Sequence, residues 1–273
     1  MPKLGLIAGN GDLPKAIAEE ARKKGYEIFA VGLEPLAEKD LSTVVDEIKW
    51  INVGKLGDII SSLKRSGAKE AVMAGKVPKS LLYKSKITPD IRAIKLLFSL
   101  KDRSDDSILV ALAKELKKEG IVLLNTTDFT DSLLTPEGVL TKKNPTESEW
   151  KDIAFGWTIA KEIGRLDIGQ TVVIKNQAVM AIEAIEGTDE AVKRGGALAG
   201  SGAVIIKVSK PQQDMRFDVP VVGPETLRSM IAINARVLAV ESGKSIMLKK
   251  EDLIKDAEKA DITIVGVLDT PTY

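Results

Sequence analysis

Short apolar runs alternate with amphipathic stretches through the first half of the chain. The runs predict buried strands at residues 4–8, 27–32, 49–53, 70–74 and 121–124. The amphipathic stretches predict helices at about 14–24, 56–65, 90–100 and 105–118. Strands that alternate with helices favour right-handed βαβ units. The fold class predicted for this half is therefore α/β, with a Rossmann-like parallel sheet.

The pattern changes after residue 134. Turn-forming and charged residues fill 135–146, which we interpret as a linker. It separates a nucleotide- and substrate-binding domain at 1–134 from a catalytic domain at 147–273. Thr146 and Glu149 have the spacing of a capping box that opens a helix, and two apolar runs on either side of 175–177 predict a hairpin. The second domain is predicted as α/β with a mixed sheet.

The amino-acid composition limits which side chains can act as catalytic groups or metal ligands. The 273 residues include no cysteine and no histidine. Thiolate nucleophiles, cysteine-bound zinc and histidine bases are thereby excluded. The remaining groups are carboxylates, lysines, hydroxyls and backbone amides. A metal held only by oxygen ligands is a hard ion, so Mg²⁺ or Mn²⁺ is the expected cofactor.

The net charge and the hydropathy of the chain argue against binding to nucleic acid and against a membrane-spanning segment. The net charge is +1 and aromatic residues make up 4% of the chain, which argues against binding to nucleic acid. No apolar run reaches the roughly 18 residues of a membrane span. The apolar run at 4–8 is too short for a signal peptide. We therefore expect a cytoplasmic protein.

Glycine-rich turns follow two of the predicted strands. After the first strand, backbone amides in such a turn can approach a phosphate at a helix N-terminus. Only part of the dinucleotide fingerprint is present, because Pro14 stands where the third glycine would be. The predicted substrate-binding residues in these turns are Gly9, Asn10, Gly11, Leu13, Gly75 and Lys76. Tight turns that bind nothing and a solvated lysine are the alternatives.

Carboxylates cluster between a strand and a helix at residues 183–190. Glu186 and Asp189 are candidate metal ligands, and Thr188 is a candidate substrate contact. Surface and helix-capping positions are the alternative interpretation for this segment.

The stretch Lys207–Pro220 places lysines, an arginine and acids in one loop. Basic groups can neutralise a diphosphate while an acid holds a metal ion. The candidates here are Lys207, Lys210, Gln213, Arg216 and Asp218. A salt-bridged turn is the alternative.

This stretch also resembles the signature of a known family. Lys210 to Gln213, then Arg216, Asp218 and Pro220, with Gly223 and Thr226 following, are similar to the LpxI family of UDP-2,3-diacylglucosamine pyrophosphatases of lipid A synthesis. The resemblance extends to the glycine-rich opening, the acidic segment 183–189 and Gly243–Lys244. Met215 departs from it, since a second basic residue is expected there.

The resemblance implies an activity and a set of roles. The activity is metal-dependent hydrolysis of UDP-2,3-diacylglucosamine to UMP and 2,3-diacylglucosamine 1-phosphate. Asp218 falls on the catalytic position of an Arg-x-Asp-x-Pro motif, with Lys210 and Arg216 as further catalytic candidates. The expected metal ligands are Asp218, Asp189 and Glu186; Thr188, Lys207 and Gln213 are expected to contact substrate.

The implied partner is a nucleotide-sugar lipid. We further expect a homodimer with at most peripheral contact to the membrane, at the inner face of the inner membrane. Two alternatives remain open from the residues alone. One is a dinucleotide-dependent oxidoreductase, which rests on the glycine turn and on Glu34. The other is a nucleotide-sugar binding protein without catalytic activity.

Overall fold

The computed structural model describes residues 1–77, 88–100, 105–217 and 219–269. It divides into two compact units. The N-terminal unit comprises Met1–Asp131 together with Asp214–Phe217. The C-terminal unit comprises Ser132–Gln213 and the described residues after 218. Both units are α/β, which confirms the predicted fold class.

The N-terminal unit is built on one parallel sheet. Its strands are β1 (Lys3–Ala8), β2 (Glu27–Glu34), β3 (Glu47–Asn52), β4 (Glu70–Ala74) and β5 (Val122–Leu123). Its helices are α1 (Leu13–Lys23), α2 (Leu56–Ser66), α3 (Ile91–Ser99) and α4 (Asp105–Lys118). The strand order is β3-β2-β1-β4-β5, so the order reverses between β1 and β4. In sheets of this kind the crevice at the reversal is the usual ligand site.

Side chains of β1, β2 and β4 are mostly buried on both faces, as expected for parallel strands covered by helices. Leu4 and Leu6 of β1 pack with Ile17 of α1 in one apolar cluster. Ile7 points to the other face and packs with Ile60 of α2. The alternation along β1 therefore fixes which helix covers which face.

Residues from far along the chain complete this unit. Phe217 packs against the apolar cluster that contains Ile7 and Ile60. The backbone N–H of Thr126 donates to the carbonyl of Met215 at 3.0 Å. Segment 214–217 is thus part of the N-terminal unit although it follows most of the C-terminal unit in sequence.

The C-terminal unit contains a mixed sheet. Its strands are β6 (Gly138–Val139), β7 (Thr171–Lys175), β8 (Ala178–Ile182), β9 (Val204–Lys207), β10 (Val221–Val222), β11 (Val237–Glu241), β12 (Ile246–Met247) and β13 (Thr263–Val267). Its helices are α5 (Glu147–Arg165), α6 (Thr188–Ala199), α7 (Pro224–Ala232) and α8 (Lys250–Lys259). The six-stranded sheet has the order β6-β13-β11-β9-β7-β8, and β10 pairs with β12 separately. Strands β9, β11 and β13 are parallel, whereas β6, β7 and β8 are antiparallel to their neighbours.

The predicted capping box is confirmed at the start of α5. The N–H of Glu149 donates to the Thr146 hydroxyl at 3.3 Å, and the Glu149 carboxylate accepts from the Thr146 N–H at 2.7 Å. The predicted hairpin is also confirmed, as β7 and β8.

The segment 135–146 is an integral part of the C-terminal unit rather than a linker. Strand β6 lies within it and pairs with β13. The N–H of Thr135 donates to the carbonyl of Ser245, and that of Leu140 to the carbonyl of Ile264, each at 2.9 Å. These long-range hydrogen bonds outweigh the turn-forming local sequence. In the described part of the chain, no helix combines the length and hydropathy needed to cross a bilayer.

Candidate functional site

The two glycine-rich turns meet at the reversal point of the N-terminal sheet. The N–H of Gly9 donates to the carbonyl of Ala74 at 2.7 Å. Asn10 and Lys76 exchange two backbone hydrogen bonds, each of 2.9 Å. A Cβ atom on Gly75, whose φ is +89°, would lie 2.8 Å from the carbonyl oxygen of Asn10. The glycines therefore permit close approach of two backbones, and three of the amides expected to meet a phosphate already bond to protein.

The surface beside Gly11 is more acidic than a phosphate site requires. A small pocket at the start of α1 is lined by Gly9, Gly11, Asp12, Pro14, Lys15, Glu38, Asp40 and Leu41. Its lysine, Lys15, is paired with Asp40 at 2.8 Å, and the hydrogen bond to that carboxylate raises the pKa of Lys15. Carboxylates repel a diphosphate and accept hydrogen bonds from hydroxyl groups. The carboxylates at this edge therefore work against the predicted phosphate contact.

Leu13 and Glu34, which the sequence analysis singled out, both contact other residues of the N-terminal unit. The side chain of Leu13 packs against the apolar cluster beneath α1. Glu34 pairs with Lys39 at 3.1 Å, and the Lys39 ammonium lies 3.7 Å from the centroid of the Trp50 ring. The acid expected to bind a ribose in the oxidoreductase hypothesis thus has a cation beside it.

A buried polar cluster lies where β9 ends in the C-terminal unit. Lys207 is only 5% exposed, and its Nζ donates to the Thr188 hydroxyl at 2.9 Å. That hydroxyl donates to Glu183 Oε1, also at 2.9 Å. Thr188 is the first residue of α6, and the carboxylate of Glu183 also accepts from the N–H of Gln170 at 3.3 Å. The structure thus brings together Lys207 and Thr188, two residues predicted to contact substrate.

The loop that follows β9 is folded by its own side chains. The Gln213 side-chain carbonyl accepts from the N–H of Lys210 at 2.8 Å and from the hydroxyl of Ser209 at 3.0 Å. The Lys210 ammonium lies 2.6 Å from a carboxylate oxygen of Asp167. Gln213 therefore shapes the loop, and Lys210 carries an exposed ion pair.

Arg216 lies in the part of the motif that belongs to the N-terminal unit. Its Nε donates to both carboxylate oxygens of Asp214, at 2.9 and 3.1 Å, and its Nη2 donates to Oδ2 at 2.5 Å. The guanidinium hydrogen bonds lower the pKa of the Asp214 carboxyl, and those same bonds raise the pKa of Arg216. Asp214 thus orients the guanidinium of Arg216, which the sequence analysis gives as a catalytic candidate. Asp218 lies outside the described residues.

The other predicted metal ligands do not assemble a carboxylate site. Glu186 pairs with Arg194 at 2.5 Å, and the hydrogen bond from Arg194 lowers the pKa of the Glu186 carboxyl. Asp189 accepts from the Ser229 hydroxyl at 3.5 Å. Among the described residues, no three Asp or Glu side chains come together in a group that could hold a metal ion. The described residues alone do not fit a Mg²⁺ site.

The sequence interpretation missed a buried acid at the end of β11. Glu241 is 1% exposed and accepts from Lys161, Lys244 and the N–H of Ser209. An acid directly after the apolar run Val237–Val240 was the available signal, because a charge at a strand end in an α/β sheet is well placed for function.

Comparisons with known proteins cover both units. The model of the LpxI N-terminal domain matches residues 3–133, and that of the LpxI C-terminal domain matches residues 136–265. The UDP-2,3-diacylglucosamine pyrophosphatase LpxI of Caulobacter vibrioides is 31% identical over 278 residues. That similarity covers 98% of this chain and 98% of the relative.

Similarity to solved structures is weaker. Phosphoribosylglycinamide synthetase from Anaerococcus prevotii is 14% identical, covers 63% of this chain and 31% of its own, and has a TM-score of 0.27. The Bordetella bronchiseptica enzyme WbmG, in complex with NAD and UDP, is 15% identical, covers 43% and 34%, and has a TM-score of 0.29. TM-scores below 0.5 do not show a shared fold, so nothing about this chain follows from these structures.

Proposed function

This chain belongs to the LpxI family, and we infer from that membership that it hydrolyses the pyrophosphate bond of UDP-2,3-diacylglucosamine. The products are UMP and 2,3-diacylglucosamine 1-phosphate. The observation that carries this function is the 31% identity to the Caulobacter pyrophosphatase over 98% of both chains.

The polar cluster at the end of β9 supports a role in binding the diphosphate. In our proposal the Lys207 ammonium faces a phosphate oxygen and stabilises the negative charge that grows on the leaving phosphate. Burial strengthens this interaction, because few water molecules screen the charge of a lysine that is 5% exposed. Thr188 and Glu183 orient the ammonium through the hydrogen bonds described above.

Water is the second reactant. Its oxygen attacks one phosphorus while the bond from that phosphorus to the bridging oxygen breaks. Both products are phosphate monoesters with a second pKa of about 6, so close to two protons are released at neutral pH. We assign orientation of this water, or binding of an ion, to Asp218, and neutralisation of the diphosphate to Arg216 and Lys210. The paired Asp214 supports this assignment for Arg216, since it holds the planar guanidinium in one orientation.

Dependence on Mg²⁺ or Mn²⁺ is a separate proposal. Without histidine or cysteine, any ion that assists the reaction would be held by oxygen ligands, which Mg²⁺ and Mn²⁺ prefer. The expected ligands are Asp218, Asp189 and Glu186. Because Glu186 is paired with Arg194 and the described carboxylates form no group of three, we route no step through the ion.

Three further expectations concern the localisation of the enzyme, its contact with the membrane and its oligomeric state. We propose that it works in the cytoplasm, touches the inner face of the inner membrane only peripherally, and forms a homodimer. A substrate with two acyl chains supports the membrane contact, because such a lipid partitions into a bilayer.

The direct test is incubation of the purified protein with UDP-2,3-diacylglucosamine, followed by chromatography of the products. We expect equimolar UMP and 2,3-diacylglucosamine 1-phosphate. Release of UDP in place of UMP, or substrate that binds but is not cleaved, would contradict the proposed reaction. Cofactor absorbance in the purified protein would instead favour the oxidoreductase.

A further inference from the structure

The first loop residue after β9 is held from two sides. The N–H of Ser209 donates to Glu241 Oε2 at 2.7 Å, and its carbonyl accepts from Lys161 Nζ at 3.1 Å. Lys161 also donates to the same Glu241 oxygen, at 2.5 Å. The backbone N–H and the backbone carbonyl of Ser209 are thus both hydrogen-bonded to one ion pair, which we call the Lys161–Glu241 clamp.

The clamp is built from elements that are distant in sequence. Lys161 comes from α5 and Glu241 from the end of β11, 80 residues later. Glu241 is almost fully buried, whereas the Lys161 side chain keeps 28% of its surface exposed. An ion pair removed from water costs desolvation energy that offsets its electrostatic gain, so the pair need not contribute net stability.

The loop residues that follow Ser209 are also held by side-chain hydrogen bonds. The Ser209 hydroxyl donates to Gln213, and Gln212 Nε2 donates to the carbonyl of Gly164 near the end of α5 at 3.1 Å. Gly164 itself leaves little room, since a Cβ there would lie 3.3 Å from the Cα of Lys210. The loop is therefore held against α5 from Ser209 to Gln213.

The geometry points to Lys161 and Glu241 as positioning residues of the reaction. They fix the start of the loop that carries Lys210, and they do so through the backbone of Ser209. This inference rests on the proposed function, because it assumes that the loop is catalytic. Its consequence is that loosening the clamp reduces kcat more than it raises KM, since a misplacement of about 1 Å can cost a factor of about 100 in rate.

The test uses two lysines that contact the same carboxylate. Lys161→Met removes the bonds to Glu241 and to the Ser209 carbonyl while Lys244 still pairs with Glu241 at 3.0 Å. Lys244→Met is the matched control, because the structure gives Lys244 no role at Ser209 and leaves the clamp intact. Lys161→Arg is the rescue variant, since its guanidinium keeps the positive charge and carries several N–H donors for the two acceptors. All three are assayed as full-length protein for UMP release, well below their unfolding temperatures.

We expect Lys161→Met to lower kcat about tenfold or more with KM within about threefold, because a positioning contact acts mainly in the transition state. Lys161→Arg should regain most of the lost kcat, and Lys244→Met should stay within about twofold of the parent protein. Equal losses in Lys161→Met and Lys244→Met would overturn the inference, because the effect would then come from the charge of Glu241. Unchanged kcat in folded Lys161→Met would also overturn it. If the parent protein releases no UMP, it is the proposed function that fails.

Discussion

Substitution of Gly75 tests whether the two glycine-rich turns are shaped by contact with each other. Gly75→Ala places a methyl group 2.8 Å from both the carbonyl oxygen of Asn10 and the carbonyl carbon of Gly9, at a φ of +89°. Gly11→Ala is the matched control, because Gly11 has a φ of +95° and no atom within 4 Å of an added Cβ. Both variants adopt a left-handed backbone with a side chain, and only one of them forces two backbones apart.

The expected magnitudes follow from this difference. A left-handed conformation costs an alanine about 1–2 kcal/mol, which is the whole effect expected for Gly11→Ala. The overlap at Gly75 adds about 1–3 kcal/mol, as for other insertions into packed sites. Gly75→Ala should therefore lower the free energy of unfolding by about 2–5 kcal/mol. The backbone must also shift at Gly9 and Asn10, so KM should rise in Gly75→Ala if this edge binds substrate.

The measurement is urea unfolding of both variants followed by circular dichroism, with steady-state kinetics on the same preparations. If Gly75→Ala is no less stable than Gly11→Ala, the two turns do not hold each other and the reasoning is refuted.

Three further predictions concern the site. Asp218→Ala should lower kcat by a factor of about 100 or more, while exposed Asp252→Ala should not; similar UMP release from both would show that Asp218 is not the catalytic acid. EDTA should abolish UMP release and Mg²⁺ or Mn²⁺ should restore it, whereas full turnover after exhaustive chelation would rule out metal dependence. Asp214→Asn should be less stable than the parent protein at pH 7, and this deficit should be smaller at pH 3. The reason is that Arg216 lowers the pKa of Asp214, so the stabilisation is present above the unfolded-state pKa of about 3.9 and is lost as pH falls through the folded value. Urea unfolding at the two pH values checks this, and an equal deficit at both would contradict it.

The sequence predicted the features that depend on local pattern. The apolar runs located the strands of the N-terminal sheet, and the spacing of Thr146 and Glu149 located the start of α5. These features follow from side-chain periodicity and from hydrogen bonds between near neighbours. Lys207 was a candidate because it opens the stretch of basic and acidic residues at 207–220, and the structure places it at the end of β9.

Features that depend on distant partners were not predicted. Strand β6 has only two residues, and its pairing with β13 is invisible in a local pattern rich in turn formers. The Lys161–Glu241 pair spans 80 residues, and no periodicity encodes it. The glycines at positions 9 and 75 were predicted either to contact a phosphate or to form tight turns, and the structure shows that they let the turns after β1 and β4 approach closely. Sequence spacing could not separate these two uses of glycine.

The inclusion of residues 214–217 in the N-terminal unit has a consequence for synthesis in the cell. A ribosome completes every strand of the N-terminal sheet long before it reaches Phe217, yet that ring covers part of the sheet's apolar cluster. The unit that emerges first therefore gains one of its packing side chains only after most of the chain is made, although N-terminal domains generally fold as soon as they are made. Until Phe217 arrives, the nascent chain exposes an apolar surface that a chaperone can bind. A fragment that ends at Asp131 retains this exposed surface permanently and should be more prone to aggregate than the full-length protein.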